Sequence, residues 1–454
     1  MLTKSPELDS TDTSNNLNCN PQSGVVMFEK ALNPVYMGKS YKFPLLAACA
    51  SVLPLMFMWP KFCSLFWFED DWALLDTLRS QGFFHWVLQP FDGIVAPVFK
   101  VVWYAAVRGW GGAYIGMISS LWICHAANTW LLTVLLLRIG LSPAGALIAA
   151  LTFGISWSNI ETLGWAAQLF QLTSLTMFLL AFKFMLDFAE NNRHLILSCC
   201  FACASALCFA RGILSGGLVL FWFVLAGGRN FGRRWLWGLA AVLLAPEVVI
   251  TAVHYLRDAQ YSGNPANNMF LIAQFASSYL FLNPLYILFS YPGKAVGLSA
   301  LIIFGSIKIS LIIFALSRSD RKTRNFLWTL LAFDLGNATL LGFGRYWTGL
   351  AASVSSRYQY VSLLCFAPFL VIAAGYLIRK FLVGKFRTVC KSLLVACWIT
   401  ILIVPWPRKV NQWIQWRGYG PRAQAAGTMP AQGVALCGLP TSRIQELVRE
   451  FHLR

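Results

Sequence analysis

The sequence predicts an all-α polytopic membrane protein with about 11 transmembrane helices, and three observations support this fold class. Of the 454 residues, 57% are hydrophobic and only 12% are charged, whereas about 25% of residues are charged in an average soluble domain. The mean hydropathy is +0.60. Apolar segments of about the length that a helix needs to cross a bilayer recur along the whole chain.

The charges that flank the apolar segments orient them in the membrane. Lys30, Lys39 and Lys42 precede the first segment, so the positive-inside rule places the N-terminus in the cytoplasm. The predicted crossings are roughly 44–66, 113–137, 143–158, 169–187, 195–210, 212–226, 236–255, 295–316, 326–343, 359–379 and 389–406.

One apolar segment, 270–290, is predicted not to cross. A crossing there would place the basic loop Arg318–Arg324 on the outer face, against the positive-inside rule. Asn283-Pro284 and Tyr291-Pro292-Gly293 also interrupt the chain at this point. We therefore predict a re-entrant or interfacial segment that is buried against protein.

This topology divides the chain into three regions. Residues 1–43, rich in Ser, Asn, Thr and Pro, are predicted to be a flexible cytoplasmic tail. Residues 44–406 form the transmembrane catalytic domain. Residues 407–454 are a translocated C-terminal tail, too short for an independent catalytic domain.

Two loops of the domain are predicted to lie on the translocated side. The first is 69–112, and the second, late loop is 344–358. Within the first loop, Trp72–Arg79 and Pro97–Arg108 both have helical spacing. We expect short helices in the membrane interface at both stretches.

The basic and cysteine residues exclude two other classes of function. The net charge of +18 would suggest a nucleic-acid ligand in a soluble protein, but basic residues also mark cytoplasmic loops, so no nucleic-acid partner is expected. Most of the 12 cysteines lie in apolar segments, and no CxxC pair or Cys/His array is typical of a zinc site.

The most informative stretch is Glu69-Asp70-Asp71, which directly follows the first predicted crossing. Three adjacent carboxylates at a bilayer edge are costly, because like charges and desolvation both oppose ionisation. Such a cluster is best explained by a cation, a proton or a substrate that it meets. The predicted topology places Arg211, Arg345 and Arg357 on the same face as these acids.

Carboxylates beside arginines at a membrane surface suit a particular chemistry. Asp70, with Asp71 as the alternative, can accept the proton of an acceptor hydroxyl as a general base. Guanidinium groups bind phosphate oxygens in a bidentate manner and stabilise the charge on a departing diphosphate. Tyr358 can cover the neck of a prenyl phosphate. The chain has no Gly-rich nucleotide cradle, so the donor is expected to arrive on a lipid.

These residues resemble a known family. The acidic pair after the first crossing, the loop with interface helices, and the late sequence Gly-Arg…Ala-Ala-Ser-Val-Ser-Ser-Arg-Tyr are similar to the GT-C class of polyprenyl-phosphate-dependent glycosyltransferases. The resemblance implies a GT-C-like fold that moves a sugar from a lipid carrier to an acceptor on the outer or lumenal face.

The resemblance also assigns roles to individual residues. The acidic motif of the family falls on Asp70 and Asp71, with Glu69 as an extra acid, and its late arginine falls on Arg357. The phosphate-binding role extends to Arg345 by charge alone. Many relatives carry an acid where this chain has Arg211, so the role of Arg211 in donor-phosphate binding is a departure from the family pattern.

Four further residues are predicted to contact the acceptor or the sugar. They are Glu69, His85, Glu161 and Trp165; His85 lies in a segment, 84–97, that loosely resembles a histidine-and-proline segment of the family. Asp70 and Asp71 can also offer oxygen ligands to Mg²⁺ or Mn²⁺. No further ligand set is evident in the sequence, and we expect a metal-independent reaction, with a divalent metal as the alternative.

Two other functions stay open at this point. A flippase or transporter of a lipid-linked saccharide would show inverted repeats with broken helices in matching positions, and only the break at 283–293 is clear. A glycan polymerase or ligase would suit the outer arginines equally well. The polar N-terminal tail without a cleavable signal favours the bacterial inner membrane, with the active site on the periplasmic side.

Overall fold

All regular secondary structure in the described part of the chain is helical. The computed structural model describes residues 41–90, 95–187, 193–225, 268–289, 297–381, 384–417 and 439–453, with a few positions between 240 and 249. Within these ranges every regular element is a helix and no strand occurs, which confirms the all-α prediction there. The predicted N-terminal tail lies almost entirely outside the described residues, as does the predicted crossing 236–255.

The described helices are labelled here in chain order. The α-helices are α1 (Lys42–Phe57), α2 (Trp59–Phe62), α3 (Asp70–Gln81), α4 (Phe83–Leu88), α5 (Pro97–Gly109), α6 (Tyr114–Arg138), α7 (Pro143–Gly154), α8 (Ile160–Leu163), α9 (Leu169–Asp187), α10 (Arg193–Ala206), α11 (Leu214–Leu225), α12 (Met269–Leu282), α13 (Leu285–Phe289), α14 (Leu298–Arg318), α15 (Arg321–Arg345), α16 (Ser356–Phe381), α17 (Gly384–Ile403), α18 (Trp406–Arg417) and α19 (Thr441–Glu450). Short 3-10 helices lie at Trp157–Asn159, Ala166–Gln168, Ala210–Ile213, Tyr346–Thr348 and Leu350–Val354.

Several of these helices can cross a membrane. Six described segments are long and apolar enough, and a seventh is obtained if Pro143–Gly154 and Trp157–Leu163, which are bent by 43°, count as one crossing. The six are Tyr114–Arg138, Ala166–Asp187, Leu298–Arg318, Arg321–Thr348, Ser356–Phe381 and Val389–Gln415. They support a multi-pass membrane protein, whereas the number of about 11 crossings stays a prediction.

Shorter helices occupy several other predicted crossings. α1 has 16 residues and contains Pro54, so its length is only about 24 Å at 1.5 Å per residue. α10 and α11 have 14 and 12 residues. The segment predicted at 270–290 forms α12 and α13, which are separated at Asn283-Pro284 because the residue before a proline disfavours helical backbone.

Turns that the sequence places in the cytoplasm meet at one end of the helical bundle. Arg138 at the end of α6 forms an ion pair with Asp187 at the end of α9. Lys322 Nζ donates a hydrogen bond to Arg138 O at 2.8 Å, and Thr323 Oγ1 donates to Ile139 O at 3.2 Å. The C-terminal ends of α6 and α9 and the start of α15 therefore lie at one end of the bundle.

The described residues of the first predicted outer loop form three helices. α3 and α5 coincide with the two stretches predicted to be helical, and α4 lies between them. Lys100 of α5 donates hydrogen bonds to Trp86 O at 2.6 Å and to Gln89 O at 2.8 Å. Burial lowers the pKa of the Lys100 ammonium to about 8. This lysine thus ties α5 to the end of α4.

The C-terminal helix α19 packs on α3. Arg79 Nη1 lies 2.6 Å from Glu446 Oε2, and Arg443 Nε lies 2.5 Å from Asp76 Oδ1. Hydrogen bonds from Arg79 and Arg443 lower the pKa of Glu446. Leu447 is fully buried beside these ion pairs. α19 therefore lies on the same side of the protein as the acidic turn, which is the turn Phe68–Asp71 that leads into α3.

The chain after α19 approaches the first loop so closely that only glycine fits there. Gly112 has φ +74°, and a Cβ atom at this position would lie 2.3 Å from Phe451 O. The Arg108 guanidinium lies over the Phe451 ring, with its Cζ 5.4 Å from the ring centroid. The end of the C-terminal segment thus packs against the end of α5.

A buried ion pair stabilises the broken segment α12–α13. Lys308 Nζ lies 2.9 Å from Asp334 Oδ2 and donates to Leu280 O and Asn283 O at 2.7 and 2.8 Å. Tyr279 donates a hydrogen bond to Asp334 Oδ1 at 2.9 Å. The acid inside α15 therefore has structural partners on α12 and α14.

Candidate functional site

One cavity brings residues of the acidic turn and the late loop together. It has a volume of about 70 Å³, which is room for several water molecules. Its polar wall consists of Asp70, Gln168, Gln171, Arg345, Arg357 and Tyr358. These residues come from the start of α3, the 3-10 helix Ala166–Gln168, the starts of α9 and α16, and the end of α15. The predicted meeting of Asp70 with the late arginines is thus observed as a shared cavity.

The acidic turn has an unusual backbone. Glu69 has φ +40° and ψ −109°, and Asp71 N donates to Phe68 O at 2.9 Å. A positive φ at the first central position of a tight turn favours glycine, so a glutamate there costs about 1–3 kcal/mol. The surrounding packing must hold this turn, because both Phe68 and Asp71 are fully buried.

The two aspartates of the predicted catalytic pair have different surroundings. Asp71 Oδ2 accepts a hydrogen bond from Phe68 N at 3.1 Å, and the Tyr114 hydroxyl donates to it at 3.5 Å. Asp70 is half-buried and lines the cavity. Of the pair, Asp70 is therefore the acid that lies on the cavity, whereas Asp71 closes the turn before α3.

Glu161 holds the start of α16, where Arg357 lies. Its Oε2 accepts hydrogen bonds from Ser355 Oγ at 2.8 Å and from Arg357 N at 3.0 Å, and its Oε1 lies 3.7 Å from Arg357 Nε. A carboxylate stabilises a helix N-terminus, whereas a cation there is unfavourable. Glu161 therefore both caps α16 and offsets the charge of Arg357.

Trp165 joins the acidic turn to Arg357. Its Nε1 donates a hydrogen bond to Phe68 O at 3.3 Å, and the Arg357 Cζ lies 5.9 Å from the centre of its ring. The Arg357 guanidinium also interacts electrostatically with Asp70. The turn before α3 and the start of α16 are thus connected in two ways. Trp165 contacts both Phe68 and Arg357, and Arg357 interacts with Asp70 across the cavity.

Arg211 lies behind the cavity wall. It is 2% exposed, and its Nη2 donates to Gln171 Oε1 at 3.0 Å. Gln171 in turn donates to Gln168. Among the described residues, Nε and Nη1 of Arg211 have no hydrogen-bond acceptor. Arg345 lies directly on the cavity, at the C-terminus of α15, where the helix dipole favours a cation.

The four residues that are predicted to contact the acceptor or the sugar lie outside the set of residues that line the cavity. Glu69 is the residue before Asp70, in the strained turn. His85 is exposed on α4, where its Nε2 contacts Gln89 Nε2 at 2.7 Å. Glu161 and Trp165 support Arg357 from behind, and Trp165 is 1% exposed. The roles of these four residues in acceptor or sugar binding stay predictions.

The geometry of the aspartate pair bears on a possible metal. In the ranges that the structure describes, no three His, Cys, Asp or Glu side chains come together to hold a metal ion. The Asp71 carboxylate faces the backbone of Phe68, and the neighbours of Asp70 on the cavity include two arginines. The expected metal-independent reaction, with Mg²⁺ or Mn²⁺ as the alternative, stays a prediction.

Sequence reasoning missed two glutamines of the cavity wall as site residues. Gln168 and Gln171 are three residues apart at the start of an apolar helix, and this spacing places them on one face. Two amides on one face of an otherwise apolar span were the signal that could have found them. Their side chains connect Arg211 to the cavity.

The arrangement can bind a proton and an anion side by side. Asp70 offers a carboxylate, and Arg345 and Arg357 offer guanidinium groups, on one small volume. Phe99, Phe170 and other apolar side chains complete the wall, and a low local dielectric strengthens such charge interactions. No protein-family model matches the chain, and no curated protein shows significant similarity to it.

Proposed function

We propose that this protein is a GT-C type glycosyltransferase that moves a sugar from a polyprenyl-phosphate or polyprenyl-diphosphate carrier to a glycan or lipid acceptor. The single observation that carries the proposal is that Asp70, Arg345 and Arg357 line one cavity. The resemblance of the acidic pair and of the late loop to that family supports the same function.

In the proposed reaction, Asp70 accepts the proton of the acceptor hydroxyl as that oxygen forms a bond to the anomeric carbon. The bond between the anomeric carbon and the carrier phosphate breaks, and its electron pair stays on the phosphate. Arg357 and Arg345 stabilise the charge that develops there. Asp71 does not contact substrate in this scheme and acts as a positioning residue for Asp70.

The size of the cavity adds a requirement. Ligand pockets usually have volumes of about 300–1,000 Å³, and this cavity has about 70 Å³. A sugar and a phosphate therefore need the late loop to move away from the acidic turn. Gly349, with φ +85°, joins two short 3-10 helices in that loop, and Trp347 is 68% exposed. Loop opening of this kind is common in transferases.

The charges support an active site on the face opposite the cytoplasm. The basic turns after α6 and α14 lie at one end of the bundle, and the cavity with Asp70 lies at the other end of α15 and α16. By the positive-inside rule the cavity then faces the periplasm, and we propose the bacterial inner membrane as the location.

Mass spectrometry of lipid-linked saccharides tests the function. Membranes with the wild-type chain should convert the donor into free carrier and a newly glycosylated acceptor, and Asp70→Asn should slow this conversion by about 10²–10⁴-fold. Asp76→Asn is the matched control, because Asp76 lies on the same helix but pairs with Arg443 outside the cavity. If the protein is a flippase, no new glycosidic bond should form with the wild-type, Asp70→Asn or Asp76→Asn chain.

A further inference from the structure

A second, larger cavity lies at the other end of the bundle. Its volume is about 890 Å³, near the upper limit of ordinary ligand pockets. It is lined by the turn between α6 and α7, the turn between α14 and α15, the end of α16 and the middle of α17. Nothing in the proposed transfer reaction uses this cavity.

Two helices fix the distance between the cavities. On α15, Thr323 lines the large cavity and Arg345 lines the small one. On α16, Arg357 lines the small cavity and Arg379 lines the large one. Each pair is 22 residues apart, or roughly 33 Å along a helix, about the thickness of the hydrocarbon layer. The large cavity therefore belongs to the opposite membrane face.

The walls of the large cavity are mostly apolar. Leu137, Val371 and Trp398 lie on it, and Leu394, which also lines it, is 54% exposed, so the cavity opens at the surface of the bundle. Water is unfavourable in apolar cavities of this kind. At hydrocarbon depth, lipid acyl chains are the natural apolar filling.

The rim of the large cavity is basic. Arg318, Arg379 and Lys391 line it and are exposed. Arg138 also lines it and pairs with Asp187. One acid, Asp320, lies on the same rim, where it caps α15 by accepting a hydrogen bond from Thr323 N at 3.1 Å. The rim thus has an excess of positive charge above an apolar chamber.

We propose that this cavity binds an anionic phospholipid, with its phosphate at Arg318, Arg379 and Lys391 and its acyl chains between α7, α16 and α17. Basic pockets between membrane helices on the cytoplasmic side recognise anionic headgroups in this way. The basic rim and the apolar walls match the two halves of such a lipid. A zwitterionic lipid supplies the same chains but no net negative charge.

Native mass spectrometry of the purified full-length chain tests the site, with phosphatidylglycerol and phosphatidylcholine of identical acyl chains as competing probes. The wild-type chain should retain phosphatidylglycerol preferentially. The triple variant Arg318→Gln, Arg379→Gln, Lys391→Gln should lose about fivefold in affinity per cation, and so about a hundredfold in all.

A matched triple variant controls for general surface charge. Arg321→Gln, Arg324→Gln, Lys380→Gln removes the same charge from exposed positions at the same end, but none of these residues lines the cavity. It should keep the preference for phosphatidylglycerol. The proposal would be overturned if both triple variants lost the same affinity for phosphatidylglycerol. It would also be overturned if the wild-type chain did not prefer phosphatidylglycerol to phosphatidylcholine.

A cavity-filling variant tests the position of the acyl chains. A Cβ atom at Gly375 would have no atom within 4 Å, and Gly375 lines the cavity. Gly375→Phe should therefore reduce phosphatidylglycerol retention at least about tenfold with every charge in place, while Gly375→Ala should retain the lipid. Wild-type retention by Gly375→Phe would contradict the proposed position. The two triple variants test the site even if Gly375→Phe fails to fold.

Discussion

The carboxylate of Glu161 holds Arg357 at two points. Its Oε2 accepts a hydrogen bond from the Arg357 backbone nitrogen at 3.0 Å, and its Oε1 lies 3.7 Å from the Arg357 Nε. These residues are 196 positions apart in the sequence. The contact fixes the start of α16 against the short helix α8, and so fixes the arginine that shares a cavity with Asp70.

Removal of this cap should loosen the start of α16. Glu161→Leu leaves Arg357 N without its carboxylate acceptor, and loss of a helix cap costs about 1 kcal/mol. The amides of residues 355–358 should then exchange hydrogen roughly fivefold faster in hydrogen-exchange mass spectrometry. Glu161→Gln keeps an oxygen acceptor and should remain closer to the wild type. Equal protection in the wild-type and Glu161→Leu chains would show that Glu161 does not hold this helix.

The two aspartates should respond differently to the same substitution. In Asp71→Asn, the amide can no longer satisfy Phe68 N with a charged acceptor in a fully buried turn, which should cost about 1–3 kcal/mol and lower the melting temperature in detergent. Asp70→Asn should leave the melting temperature near that of the wild type, because Asp70 is half-buried at the cavity. A larger fall in melting temperature for Asp70→Asn than for Asp71→Asn would show that Asp70 is the structural acid.

The packing of α19 on α3 should depend on pH. Hydrogen bonds from Arg79 and Arg443 lower the pKa of Glu446 below its ordinary value of 4.5, so the ion pairs stabilise the folded state above that value. This contribution should be lost as the pH falls through the lowered pKa. The protection factors of the α19 amides, which correct for the pH dependence of intrinsic exchange, should be constant from pH 6 to pH 8, within the range expected for ionised carboxylates, and should fall in acid. Glu446→Gln should reduce the pH dependence, and the remainder should come from the ion pairs of Asp76 with Arg443 and of Glu450 with Arg79.

The helical class and the meeting of distant loops could be predicted from the sequence. The apolar composition predicts a membrane protein. The alternation of basic turns along the chain predicts that Asp70 and Arg357 lie on the same membrane face. The shared cavity agrees with that placement. Such predictions succeed because hydropathy and the positive-inside rule depend on local composition, which does not require knowledge of side-chain packing.

The different surroundings of Asp70 and Asp71 could not be predicted from the sequence. Asp70 and Asp71 are adjacent and chemically identical, and it is the backbone of the turn and the start of α3 that place Asp70 on the cavity and Asp71 beside Phe68 N. The ion pair of Lys308 with Asp334 was likewise invisible, because it depends on how α14 packs against α15. Both features follow from tertiary geometry, which local sequence patterns do not encode.

A double-mutant cycle between Asp70 and Arg357 is the most direct test of the shared cavity, with the affinity of the purified chain for farnesyl diphosphate as the measured quantity. Asp70→Asn should tighten binding, because it removes a negative charge beside the probe, and Arg357→Gln should weaken it about tenfold or more. Asp76→Asn combined with Arg357→Gln serves as the control and should be additive within about 0.5 kcal/mol.

We expect the effects of Asp70→Asn and Arg357→Gln on binding to couple by more than about 0.5 kcal/mol, as is usual for residues that face one ligand. Strict additivity of the two substitutions, or equal binding of uncharged farnesol, would contradict a cavity in which the carboxylate and the guanidinium act on the same phosphate.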